Sequence, residues 1–175
     1  MTEDPAAEVA ETAVGSRRLL WIVLAVAGAV VVLDQITKAM AVAWLMGQPP
    51  VEIVGSWLRL VYAENTGAAF GIGTGFTWIF TAIAVVVSVV IIRTSRHLGS
   101  VAWAIALGGL LGGALGNLID RLVRDPGIGQ GYVVDFIALP NFPIFNVADM
   151  SITCSAVLMI LLTLRGVEFS GGRRG

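Results

Sequence analysis

Sulfur and imidazole are almost missing from this chain, which has one cysteine, Cys154, and one histidine, His97. An internal disulfide framework is therefore excluded, and a Cys/His zinc site cannot be assembled from this chain alone. Charge is scarce as well, at 13% of residues, and a net charge of -1 gives no basic face for nucleic acid. Catalysis by this chain has to come from carboxylates, hydroxyls or Lys38.

What is abundant is apolar. Of 175 residues, 57% are hydrophobic, and the mean hydropathy is +0.86, too apolar for a soluble domain of this size. Four apolar runs, about Leu19 to Trp44, Phe76 to Ile92, Val101 to Leu122 and Phe145 to Leu164, each approach the ~20 residues that cross ~30 Å of hydrocarbon. The pattern predicts an all-α membrane protein, a four-transmembrane-helix bundle. Residues 1–18 are polar and Ala/Glu-rich and read as a disordered tail. Residues 19–165 read as one transmembrane domain, and the Arg/Gly-rich 166–175 as a second tail.

Arg17, Arg18, Arg93, Arg96, Arg165, Arg173 and Arg174 flank the termini and the second-to-third connection, whereas the other connections hold only Arg59, Arg121 and Arg124. This bias places both termini in the cytoplasm and turns the long connections, about 45 to 75 and 123 to 144, outward. Arg17-Arg18 followed by an apolar run and Ala41-Val42-Ala43 imitates a cleavable signal peptide, but Asp34 and Lys38 interrupt it, so a retained first helix is expected. Val51 to Tyr62 and Tyr132 to Leu139 carry β-branched and aromatic residues in partial alternation and predict a small extracytoplasmic sheet. Gly108, Gly112 and Gly116, with Gly109 and Gly113 beside them, predict close helix packing. The five tryptophans read as interfacial anchors and packing residues, Cys154 as a packed small side chain, and His97 as solvated.

The polar residues converge in depth. Counted from Arg18 at 1.5 Å per residue, Asp34 lies roughly 24 Å into the membrane, near the outer boundary, and Lys38 follows one turn later. An i to i+4 pair of opposite charge can neutralise itself there, and taken alone it reads as a tie between helices. Asn117 and Asp120 reach the same depth along the third helix, with Arg121 as a candidate ion-pair partner. Asn146 and Asp149 begin the fourth helix, and Asp135 stands in the apolar stretch Val133 to Ile137, a setting too apolar for a casual surface carboxylate.

Carboxylates delivered to one level by four parts of the chain suit water activation by an aspartate pair, in which two close carboxyl groups share one proton. The residues alone leave open which two of Asp34, Asp120, Asp135 and Asp149 form it. A proton-relaying transporter would spread its carboxylates over several depths. A magnesium-dependent phosphotransferase would be sensitive to chelators.

Asp34-Gln-Ile-Thr-Lys38, Asn65-Thr-Gly-Ala-Ala-Phe70, Gly112-Gly-Ala-Leu-Gly-Asn117-Leu-Ile-Asp120-Arg121, Val133-Val-Asp135-Phe-Ile137 and Phe145-Asn-Val-Ala-Asp149 resemble, in order, the motifs of the bacterial lipoprotein signal peptidases, or signal peptidase II. The resemblance spans about residues 34 to 149. It implies an aspartyl endopeptidase with Asp135 and Asp149 as catalytic pair, cutting prolipoproteins immediately before a diacylglyceryl-modified cysteine. It further implies that Asn65, Asn117, Arg121 and Asn146 surround the pair and the substrate backbone, and that Asp34, Lys38 and Asp120 support the site. Gly67 and Phe70, with the Val51 to Tyr62 stretch, are expected to cover it. No cofactor or metal is implied; the partners are substrate and membrane lipid, and one chain suffices for the site.

Overall fold

A computed structural model describes the backbone of residues 5–67 and 77–170, and the side chains of residues 17–67 and 77–170. Four helices and one small sheet make up the described fold: α1 Pro5–Leu45, β1 Val51–Val54, β2 Leu58–Asn65, α2 Thr77–Thr94, α3 Val101–Val123, β3 Val133–Ala138 and α4 Val147–Leu164, with a 3-10 turn at Ser95–His97. Each of the four helices is long and apolar enough to cross a membrane.

Helix α1, at 41 residues, extends roughly 60 Å, about twice the hydrocarbon thickness. It starts at Pro5 and so runs through most of the segment read as a disordered tail; the Ala/Glu-rich composition that denies that segment a core also favours helix. Its membrane-length part begins at Arg17. Helix α4 ends in a Schellman motif, with Val167 N–H donating to Leu162 O and Gly166 N–H to Thr163 O, both at 3.0 Å. Gly166 supplies the left-handed residue (φ 65°) that this ending requires.

Helix α3 is the hub, with 67% of its span buried against 17%, 22% and 17% for α1, α2 and α4. Its glycines make this possible. A Cβ at Gly108 would stand 2.8 Å from Val26 Cβ, and one at Gly112 would stand 2.8 Å from Ala27 O, so this row lies against α1. A Cβ at Gly113 would stand 2.5 Å from Ala148 O, which puts the adjacent row against α4. Without side chains in the way, three backbones approach closely.

The strands form an antiparallel sheet of order β1-β2-β3. Ala63 pairs with Asp135 and Asn65 with Val133. Asn65 is thereby the diagonal, same-face neighbour of Asp135.

One apolar cluster, including Val23, Ala27, Leu107, Leu111 and Leu162, fills the bundle away from the sheet. A second, with Ala41, Leu45, Val134 and Phe136, lies beneath the sheet. On α1, the fully buried Asp34 and Lys38 fall between the two. The remaining apolar side chains, such as Ile36, Ile83, Val86, Val90, Val157 and Ile160, face outward, as a lipid-bathed surface requires.

Trp103 is one of the packing tryptophans: it is buried, its Nε1–H donates to Val167 O at 3.0 Å and its ring meets Phe169 edge-on at 5.2 Å. Residues 166–170, read as part of a tail, fold back on that end of the bundle, with Gly99 N–H donating to Phe169 O at 2.9 Å. Trp21, Trp44, Trp57 and Trp78 are exposed.

Candidate active site

Asp135 projects from β3 and Asp149 from the first turn of α4, and both line one cavity of about 650 Å³. Three asparagines hold them. Asn65 Nδ2 donates to Asp135 Oδ2 at 2.8 Å, and Asn146 Nδ2 donates to Asp135 Oδ1 at 2.6 Å. Asn117 Nδ2 donates to Asp149 Oδ1 at 2.8 Å, and the Asn146 backbone N–H donates to Asp149 Oδ2 at 3.2 Å. Asn146 is also the N-cap of α4, its Oδ1 accepting from Asp149 N–H at 3.0 Å in a reciprocal capping box. Local helix initiation and alignment of the carboxylates are thus one structure.

Each amide is oriented by its other contacts. Gly67 N–H donates to Asn65 Oδ1 at 3.0 Å, leaving Nδ2 for Asp135. Lys38 Nζ donates to Asn117 Oδ1 at 2.9 Å, and Asn146 Nδ2 donates to the same oxygen at 3.2 Å, so Asn117 Nδ2 must turn to Asp149. Asp135 is only 2% exposed. Burial lifts its pKa from 3.8 to about 6, and the Asp149 charge adds to the rise, while the Asn65 and Asn146 amides and Lys38 oppose it.

Behind this layer lies a charge-balanced set, Asp34, Lys38, Asp120 and Arg124. Lys38 Nζ stands 2.8 Å from Asp34 Oδ2 and 2.9 Å from Asp120 Oδ2, all three side chains fully buried. Arg124 Nε reaches Asp120 Oδ1 at 3.0 Å. The expected Asp120–Arg121 pair is replaced by Lys38 and Arg124. Arg121 instead donates Nη2–H to Gly67 O at 3.1 Å and lies 5.7 Å from the Phe80 ring centroid. Asp34 Oδ1 accepts Ala148 N–H at 2.9 Å, and Asp120 Oδ2 accepts Val134 N–H at 3.2 Å. Gly116 leaves room for Asp34, whose Oδ2 lies 2.7 Å from where a Cβ would stand.

Asn65, Gly67, Asn117, Arg121, Asp135 and Asp149 therefore meet at one cavity, with Asn146 buried beside them and Asp34, Lys38 and Asp120 beneath. Phe70 lies outside the described residues. The expected cover from Val51 to Tyr62 does not line the cavity: Trp57 is 62% exposed, and the wall comes from the β3–α4 connector, including Leu139, Phe142, Ile144 and Phe145. Cys154, expected to be packed, is exposed and lines the same cavity. Gln35 is a further site residue that the sequence alone does not single out; its Nε2 reaches Gly116 O at 3.1 Å and Asp120 Oδ1 at 3.3 Å. Its place inside the Asp34 to Lys38 motif was the available signal.

The family model described as signal peptidase (SPase) II matches residues 26–165. A lipoprotein signal peptidase of Streptomyces griseus subsp. griseus is 49% identical over 95% of this chain and 85% of its own length. One from Mycobacterium avium is 43% identical over 99% of this chain and 96% of its own length. A solved bacterial membrane enzyme superposes with a TM-score of 0.72 at 30% identity, covering 83% of this chain and 89% of that one. With that match spanning all four helices and both cavity carboxylates, the chain belongs to the signal peptidase II family, the membrane aspartic peptidases of bacterial lipoprotein maturation.

Proposed function

We propose that Asp135 and Asp149 are the catalytic pair, and that the cavity takes the scissile segment of a prolipoprotein, cut immediately before a diacylglyceryl-modified cysteine. The observation that supports this most is Asn146, which donates its side-chain amide to Asp135 and its backbone N–H to Asp149. One residue thereby joins two carboxylates beside an apolar-walled cavity.

Two close carboxyl groups in a buried site retain one proton between them. The ionised member takes a proton from water as the water oxygen attacks the scissile carbonyl carbon, and the protonated member donates to the carbonyl oxygen. Collapse of the tetrahedral intermediate breaks the C–N bond. The proton taken from water passes to the leaving amine, and the carbonyl returns its own to the pair. A pKa near 6 at Asp135 keeps a share of that proton in place as neutrality is approached. Asn65, Asn117 and Asn146 hold the pair, Gly67 and Arg121 border the substrate backbone, and Asp34, Lys38 and Asp120 support from beneath. No step calls on a cofactor or metal.

The basic-residue bias supports cytoplasmic termini and an extracytoplasmic site. A site at that boundary meets the peptide while the acyl chains stay in the bilayer. Residues 19–165 form the peptidase domain in this reading. In this reading one chain, surrounded by lipid, suffices for the site.

The test is cleavage of two synthetic peptides by purified protein in detergent, one with a diacylglyceryl-cysteine and one with free cysteine, followed by mass spectrometry. The expected product begins at the lipidated cysteine and forms only from the lipidated peptide. A cut elsewhere, or equal cleavage of both, would overturn the substrate assignment.

A further inference from the structure

Lys38 does more than neutralise Asp34. Its ammonium has three N–H groups and three acceptors, Asp34 Oδ2 at 2.8 Å, Asp120 Oδ2 at 2.9 Å and Asn117 Oδ1 at 2.9 Å. Each acceptor leads to the carboxylate pair. Asp34 holds the backbone N–H of Ala148, the residue before Asp149. Asp120 holds the backbone N–H of Val134, the residue before Asp135. Asn117, its oxygen occupied by Lys38, presents its amide to Asp149. One cation thus ties together the backbone clamps of both carboxylates and the side-chain donor of one.

We propose that Lys38 is the positioning residue that sets the spacing of Asp135 and Asp149, and with it how the two divide their shared proton. This rests on the reading of those aspartates as the catalytic pair. The charged groups facing the pair are Lys38 and Asp34 from α1 and Arg121 from α3, with Asp120 of α3 behind them on Lys38; β2 contributes the neutral Asn65. Lys38 and Arg121 are the cations near the pair, and of the two Lys38 is the one that also holds Asp34, Asp120 and Asn117. Its loss removes one cation from beside the pair and leaves the 3.2 Å bond from Asn146 Nδ2 alone to orient the Asn117 amide.

Removing Lys38 alone would strand two buried anions and risk unfolding. The informative variants keep the charge balanced: Lys38→Met with Asp34→Asn, and Lys38→Met with Asp120→Asn. Each is compared with wild type by Tm and by kcat/KM against pH on the diacylglyceryl peptide. The expected result is a folded protein with kcat/KM lowered by about 100-fold or more. At least one limb of its pH profile moves by about half a pH unit or more, a ~3-fold change in the ionisation equilibrium, because the spacing of the pair has changed. A profile whose two limbs stay where they are in wild type, or failure of both balanced variants to fold, would make Lys38 a structural residue only and overturn the proposal. Asp135→Asn and Asp149→Asn run beside them: if these stay inactive while the Lys38 profile is unchanged, the positioning role alone fails. Retained cleavage in either would remove the catalytic pair itself.

Discussion

The floor and the wall of the cavity are built by opposite rules. At the floor, Asp34, Lys38, Asp120 and Asn146 are fully buried and joined by charged and amide hydrogen bonds at 2.6–3.2 Å. In the wall, Phe142 is 58% exposed and rests edge-on against Phe145 at 5.7 Å, in a turn closed by a 3.3 Å bond from Phe142 N–H to Leu139 O. A polar network in which each member orients the next tolerates little change, whereas apolar contact is non-directional and adapts to shape. In the proposed reading the floor holds the aspartate pair in place and the wall fits the substrate.

The sharpest way to break the floor is Asn146→Ala, which removes a donor from Asp135 and the cap of α4 together. Loss of one positioned donor costs about 10²–10³ in rate, so kcat should fall by at least that, measured on the diacylglyceryl peptide. A smaller stability effect follows from Gly113→Ala. Its Cβ would press on the backbone oxygen of Ala148 at 2.5 Å and push α4 outward, an overpacking cost of about 1–3 kcal/mol, read as a lower Tm. Gly28→Ala, with nothing within 4 Å, is the matched control and should not lower Tm.

For the wall, Phe142→Ala should raise KM by about 10-fold while leaving kcat nearly unchanged, the signature of lost uniform binding. An equal fall in kcat would erase the distinction between wall and floor. The smallest effect concerns pH and stability. Asp135 holds its proton more tightly folded than unfolded, so its contribution to stability is fully present below about pH 4 and lost as pH rises through about 6. Tm scans from pH 4 to 7 should therefore slope downward more steeply for wild type than for Asp135→Asn.

The spans, the glycine rows and the convergence of the carboxylates were legible in the sequence because hydropathy, spacing and helical rise are local properties. The clamps from Asp34 to Ala148 and from Asp120 to Val134 were not, since each joins segments whose approach depends on helix packing. Leu139 to Phe145 carries no periodic signal, and its role in the wall emerges only when β3 and α4 are placed around it. Which tryptophan packs inside was not legible either, since Trp103 is covered only because residues 166–170 fold over it. The choice of Asp135 and Asp149 among four candidate aspartates came from family resemblance. The cavity adds a physical reason, since Asp34 and Asp120 are sealed beneath it and do not line it.

The most direct measurement is kcat/KM for Asp135→Asn and Asp149→Asn against wild type, in detergent samples matched for Tm. Both should fall by about 10⁴-fold or more, because an amide can neither take a proton from water nor share one with its neighbour. Cleavage within about ten-fold of wild type in either folded variant would contradict a shared-proton aspartate pair.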